Sequence, residues 1–201
     1  MNIAKVKLIA HASLLIEVDN KKILTDPWYF ATAFNDGWEL LPKPKLDNIK
    51  SDINDVDIIW ISHEHPDHFH FPTLRWIAEF IQKDVIIYFQ ENNSTKIFKA
   101  LKKLGYNNFV SMPHLNKISI TPNVEIACYA HRQLKSSLAI FVKKKFWLLN
   151  INDTELNKND LAIIKKKFDT PTVLYNQFSI AGYDGIMNNL KSRATFTLDR
   201  M

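Results

Sequence analysis

Three observations predict an α/β fold with sheet at both ends of the chain. Residues 5 to 25 carry short apolar runs joined by tight polar turns, the pattern of an antiparallel sheet. Between residues 57 and 111, apolar runs of strand length alternate with segments whose apolar residues recur at helical spacing. From Lys117 onward the pattern returns to strands and closes with a further helix. With 201 residues, 46% hydrophobic and 12% aromatic, the chain suits a single domain over residues 1–201 with a sizeable core.

Taken in order, residues 5 to 10 and 13 to 18 read as strands, Asp19 to Lys22 as a hairpin turn, and Ile23-Leu24-Thr25 as the start of a third strand. Residues 27 to 47 hold Trp28, Trp38, Tyr29, Phe30, Phe34 and three prolines without periodicity. A loop this long and aromatic is either a flap facing substrate or a lid packed on the core. Ile49 to Val56 reads as a short helix and Asp57 to Ser62 as a buried strand. Leu74, Ile77, Ala78 and Ile81 then follow helical spacing. Val85 to Phe89 is a strand, Ser94 to Leu104 a helix ended by Gly105, and Asn108 to Ser111 a strand. Strands follow at Ile118 to Ile120, Val124 to Tyr129, Ser137 to Val142 and Phe146 to Ile151, with Lys143-Lys144-Lys145 at a hairpin tip. Glu155 to Phe168 is helical, Thr172 to Asn176 a strand, and Asp184 to Arg193 weakly helical.

Composition narrows the function classes. Nowhere does the chain approach the ~20 consecutive apolar residues of a membrane helix, and its N-terminus lacks the hydrophobic region of a signal peptide, so the expected location is cytoplasmic. One cysteine, Cys128, leaves no internal disulfide and cannot supply the ligands of a Rieske cluster. The net charge of +5 owes much to Lys143-Lys144-Lys145 and Lys165-Lys166-Lys167, which are either solvated surface or an attraction for a small anionic substrate. No basic stripe interleaved with aromatics is present, which speaks against nucleic-acid processing.

The chemistry concentrates in Ile58 to His70, which holds four of the seven histidines directly after an apolar run. His63 and His65 are two apart, so an extended backbone points both to one side and lets them share a cation. Pro66 biases His65 away from helix, and past the bend Asp67 and His68 face the same cleft as a second pair. Imidazole and carboxylate suit zinc, iron or manganese alike. His70 is expected outside the ligand set, either supporting a ligand or at the surface. His131 and Asp153 each end a strand with a ligand-type side chain. His11 is either structural or part of the cleft, and Asp26 before Pro27 is a turn residue or a supporting one.

His63, His65, Asp67 and His68 form the pattern His-x-His-x-Asp-His, which resembles the signature of the metallo-beta-lactamase superfamily. That resemblance implies a four-layer αββα sandwich with one or two divalent metal ions. It also implies that His131 completes the first metal site and that Asp153 bridges two metals. Asn152 stands where the superfamily has glycine. The superfamily's last histidine has no counterpart, since none follows His131. A single-metal site, a different ligand and a chain that stops before the motif each account for this. His11-Ala12-Ser13, Asp26-Pro27-Trp28, Gly37-Trp38 through Leu40-Leu41-Pro42 and Pro72-Thr73-Leu74 look like the catalytic domain of CMP-N-acetylneuraminate hydroxylases. Those are iron enzymes with a Rieske domain. The same early pattern is similar to ascorbate-6-phosphate lactonases and N-acyl-phosphatidylethanolamine phospholipases, which are metal hydrolases.

The expected activity is therefore hydrolysis by metal-activated water of an ester, lactone or phosphoester, with a phosphorylated or nucleotide-linked sugar as substrate. Asp67 orients the water or joins a second metal with His68, while Trp28 and Trp38 contact substrate from a loop bordering the cleft. The alternatives are an iron-dependent oxygenase served by a separate Rieske electron donor, and a metal-stabilised binding module without turnover.

Overall fold

The computed structural model describes residues 4–82, 84–91, 96–131 and 135–176. One sheet has six strands in chain order: β1 (Lys5–Ala10), β2 (Ser13–Val18), β3 (Lys21–Thr25), β4 (Ile58–Ile61), β5 (Ile86–Gln90) and β6 (Asn108–Met112). The hairpin-linked strands β1 to β3 pair antiparallel, whereas β3 to β6 are joined through longer connections and pair parallel. The other sheet comprises β7 (Ile118–Thr121), β8 (Val124–His131), β9 (Lys135–Val142), β10 (Lys145–Asn152) and β11 (Val173–Asn176), ordered β11-β10-β9-β8-β7. Among the described residues four helices, α1 (Leu46–Ile53), α2 (Phe71–Ala78), α3 (Lys96–Lys103) and α4 (Lys158–Phe168), cover the outer faces.

Alternation along each strand sorts the apolar side chains into three layers. Leu14, Ile16, Ile58, Trp60 and Tyr88 meet Val124, Ile126, Cys128, Leu138, Ile140 and Leu148 between the sheets. Their neighbours Leu15, Ile59, Ile61, Ile87 and Phe89 turn outward onto Ile49, Ile53, Leu74, Ile77, Ile97 and Leu101 of α1 to α3. Ala127, Tyr129, Ala139, Phe141 and Leu149 turn the other way, onto Ile164 and Phe168 of α4. The expected αββα sandwich is thus the observed one. The unbroken apolar run of β4 is explained, because all four of its residues are buried between two covered faces.

Several boundaries differ from the sequence reading. Helix α1 starts earlier, at Leu46, because Leu46, Ile49 and Ile53 pack on the core while Asp57 must leave the helix to accept from the Lys22 backbone at 2.8 Å. Helix α4 starts later, at Lys158, because Asn157 and Asp160 close a capping box. Strand β8 runs on to His131 and pairs it with Lys135. Gly105 ends α3 with φ 93°, a left-handed conformation glycine adopts without penalty. The expected helix over Asp184 to Arg193 lies outside the described residues, as do Ser94 and Thr95 of the helix expected from Ser94 to Leu104. Among the described residues no helix is long and apolar enough to cross a membrane.

The parallel strands bring the site together. Thr25 of β3 lies opposite Trp60 of β4, so the segments leaving both strands emerge side by side at one sheet edge. There the Asp26 backbone donates to the Trp60 carbonyl at 3.0 Å. Ser136 of β9 donates its hydroxyl to the Ser62 carbonyl at 2.8 Å, which ties the second sheet to the same edge.

Candidate metal centre

Three residues in the left-handed region frame this edge: His11 (φ 44°) after β1, Asp26 (φ 37°) after β3, and Asn152 (φ 55°) at the end of β10. Such conformations cost non-glycine residues on the order of 1 kcal/mol or more, and here each turns a polar side chain toward His68 or its partners. Asn152 in place of glycine is explained by its amide, which donates to Asp26 Oδ2 and, at 2.8 Å, to Ser62 Oγ. Asp26 is fully buried, accepts from the Ser62 backbone at 2.8 Å, and lies 3.2 Å from His68 Nδ1.

After β4 the chain stays extended through Ser62 and His63, then makes one tight turn in which His68 N and Phe69 N both bond the His65 carbonyl. This turn carries Asp67 and His68 inward. His68 Nε2 then lies 3.3 Å from both Asp67 Oδ2 and Asp153 Oδ2, while His63 Nε2 is 3.9 Å from Asp153 Oδ2. Two groups result, His63 with His68 and Asp153, and His11 with Asp67 and His68, each with ligand atoms all within 4.8 Å.

These residues fit a cation. Ligand bonds of about 2.0–2.2 Å place neighbouring ligand atoms roughly 3.0–3.6 Å apart, the separation seen around His68 Nε2. His63 Nε2, His68 Nε2 and Asp67 Oδ1 are buried and lack any hydrogen-bond partner. Buried polar atoms are normally paired, so the orphaned nitrogens of His63 and His68, grouped with Asp153, mark a place where a cation would bind. Three carboxylates, Asp26, Asp67 and Asp153, also crowd one imidazole, an excess of negative charge that a divalent ion offsets.

Electrostatics prepare the ligands. Burial, reinforced by the neighbouring His68 charge, lowers the His63 pKa to about 3 and keeps that ring a neutral donor. Burial also opposes the charged form of His68, but Asp26, Asp153 and Asp67 together raise its pKa well above the ordinary value. Burial pushes the Asp67 carboxyl up, but the hydrogen bond with His11 and the neighbouring His68 imidazole outweigh it and hold the group well below the usual carboxylate range. Asp153 is lowered in the same way by His68, His63 and Lys135 acting against burial.

The other expected residues are distributed around this core. His65 is exposed, its ring centroid 4.5 Å from that of His63, and it joins neither group. His131 also joins neither. It shares the outward face of β8 with Tyr129, and its Nε2 lies 3.9 Å from Asp160 Oδ2 under α4. His70 is buried as the N-cap of α2, accepting from the Thr73 backbone, with Nε2 3.3 Å from the Thr32 carbonyl. Trp28 is only 1% exposed and stands edge-on to His11 at 5.1 Å, so it walls the histidines rather than facing solvent. Trp38 is 39% exposed and packs on Phe34, whose ring lies 6.0 Å from that of His65. A groove of about 420 Å³ runs between Thr32 to Asp36 of this loop and Pro66 to Pro72.

Sequence reasoning missed Ser62, whose hydroxyl lies 2.9 Å from His63 Nδ1, and Lys135, whose Nζ is 4.0 Å from Asp153 Oδ2. A serine next to a metal motif carries no periodic signal, and Lys135 reaches the site only through the β8–β9 pairing. The lysine runs are exposed and lie far off. Lys143 to Lys145 form the hairpin tip at the end of β10 opposite Asp153, and Lys165 to Lys167 end the helix whose first turn follows Asp153.

Comparison with known proteins bears on the fold and the family. A hydroxylase from Danio rerio, "Cytidine monophosphate-N-acetylneuraminic acid hydroxylase", is 32% identical over 114 residues, 57% of this chain but 18% of that protein. The chain therefore spans under a fifth of that relative's length. A CmlA beta-hydroxylase variant superposes with a TM-score of 0.58 at 16% identity, covering 83% of this chain and 33% of the other. An isothiocyanate hydrolase from Delia radicum gut bacteria gives 0.56 at 18% identity over 80% and 66% of the two chains. Residues 5–130 match the family described as "Beta-lactamase superfamily domain". Two face-to-face sheets clad in helices, with a histidine and aspartate cluster at their edge, accompany that match, and the chain belongs to the beta-lactamase superfamily, in its metallo-beta-lactamase fold.

Proposed function

We propose that this protein is a metal-dependent hydrolase of an ester, lactone or phosphoester, with a phosphorylated or nucleotide-linked sugar as its substrate class. The observation that carries this reading is the convergence of the buried, partnerless nitrogens of His63 and His68 with the carboxylates of Asp67 and Asp153. His63, His68, Asp67 and Asp153 would hold one or two divalent ions (zinc, iron or manganese), with His65 and His131 at the rim as further ligands. When bound, such an ion supplies the Lewis acidity that makes water nucleophilic near neutral pH and polarises the attacked carbonyl or phosphoryl oxygen.

The chain's own groups do the rest. Asp67 stays ionised because its pKa is held low, so its unpartnered Oδ1 accepts a hydrogen bond from the attacking water and orients it. Lys135, beside Asp153, is placed to bind an anionic group of the substrate. The groove between Phe34 and Phe69 offers apolar surface for the remainder, with Trp38 exposed on the same loop.

The 32% identity to a hydroxylase favours one alternative, an iron oxygenase on the same ligands. These 201 residues hold one cysteine, so that reaction would draw electrons from a Rieske centre outside them. The deciding experiment offers metal-loaded protein a panel of nitrophenyl esters, lactones and phosphodiesters without reductant. Turnover that His65→Ala abolishes, with the fold retained, is expected. Substrate hydroxylation that requires an added electron-transfer protein, with no hydrolysis in its absence, overturns the hydrolase reading. No turnover in either assay at full metal loading points instead to a binding module.

A further inference from the structure

We propose that His11 is a ligand of a second cation, held jointly with Asp67 and His68. The proposal rests on the metal-dependent reading above but concerns how many ions the site takes. Two groups of ligand atoms share His68 Nε2. An imidazole nitrogen has one lone pair, so that atom serves one ion only, whereas the two oxygens of a carboxylate can bridge. Asp153 Oδ2 lies 3.3 Å from His68 Nε2 and 3.9 Å from His63 Nε2, between the two positions. His63 then belongs to one ion and His68 to the other.

With Asp153 bridging, Asp67, His68 and Asp153 give the second ion three protein ligands, one fewer than the four of a closed tetrahedral site. His11 Nε2, 3.1 Å from Asp67 Oδ2 and grouped with Asp67 and His68, supplies the fourth. The turn between β1 and β2 holds His11 at φ 44°, and Trp28 stands edge-on to its ring at 5.1 Å, so the imidazole is fixed from both sides. Independently of His11, the buried Asp67 Oδ1 and His68 Nε2 lack hydrogen bonds, and His68 Nε2 lies 3.3 Å from the other oxygen of the same carboxylate. The competing role for His11 is a hydrogen bond that only orients Asp67.

The test counts ions rather than turnover. Metal-stripped full-length protein is titrated with zinc, and the bound metal is measured by elemental analysis. Wild type should bind two ions. His11→Ala should bind one tightly and the second more than ~100-fold more weakly, beyond the ~10–100-fold expected from losing a supporting residue. His11→Cys loaded with cobalt(II) should show a near-ultraviolet thiolate-to-cobalt band absent from wild type, since Cys128 is fully buried with its thiol bonded to the Met112 carbonyl. One ion in wild type, two undiminished ions in His11→Ala, or no such band in a folded His11→Cys overturns the proposal. Should His11→Ala not fold, the cobalt spectrum still decides. Two ions bound through His11 without any hydrolysis would sink the hydrolase reading and leave this one standing.

Discussion

Replacing Asp26 with alanine removes both oxygens that hold the metal edge together. Oδ1 accepts from the Ser62 backbone at 2.8 Å, while Oδ2 accepts from the Asn152 amide and lies 3.2 Å from His68 Nδ1. All four groups are at most 5% exposed, so water cannot replace the lost partner. Each buried donor left unsatisfied costs about 1–3 kcal/mol, and stripping a buried charge pair of one member costs about 3–5 kcal/mol in all. The terms overlap, so the expected loss is about 3–5 kcal/mol, a large part of the ~5–15 kcal/mol stability of a typical domain. Urea unfolding in chelator at pH 7 measures it. Asp26→Asn keeps one oxygen for Ser62 and should lose less. With His68 no longer braced, zinc affinity should also fall ~10–100-fold in any folded variant. Alanine within about 1 kcal/mol of wild type, with unchanged zinc affinity, would refute the claim that Asp26 organises this edge.

Two further predictions follow from the same geometry. Without metal, folded His63 refuses a proton that the unfolded chain accepts between the ordinary imidazole value of 6.5 and about 3, so stability should fall as pH drops through that window, by up to roughly 5 kcal/mol. His68 contributes the opposite trend at higher pH, because its raised pKa gives stability that is lost as pH rises past it. Thermal melts in chelator at several pH values should show His63→Gln flattening the acid decline, and an unchanged decline contradicts the assignment. His70→Ala should cost about 0.5–2 kcal/mol through the lost cap of α2, yet leave the metal count unaltered. A lost ion in that variant would place His70 among the ligands instead.

Much of the fold was legible because its core obeys simple periodicity. Leu14 and Ile16 facing one layer and Leu15 the other is strand alternation, and the apolar run Ile58 to Ile61 announces a strand covered on both faces. Within the candidate site, Asp67 and His68 were readable because one turn after the strand sets their place, whereas His65, expected to share a cation with His63, joins neither group. The role of Asn152 was not readable, and a cleft role for His11 was only one of two alternatives, since their contacts close across 126 and 56 positions in sequence. The left-handed φ that aims them is invisible in the residue types. Trp28 and Trp38 look alike in sequence, but the bridge between Ala33 and Trp38 folds the loop back, leaving Trp38 outside while Trp28 is buried against His11 and His70.

The central claim is that cations sit among His63, Asp67, His68 and Asp153. Anomalous diffraction at the zinc edge from crystals of the zinc-loaded protein tests it most directly. The account predicts a peak about 2.0–2.2 Å from His68 Nε2 and an Asp67 oxygen, and a second beside His63 across Asp153. Zinc peaks only elsewhere on the molecule, with His63 Nε2 and His68 Nε2 still without a ligand, would contradict it.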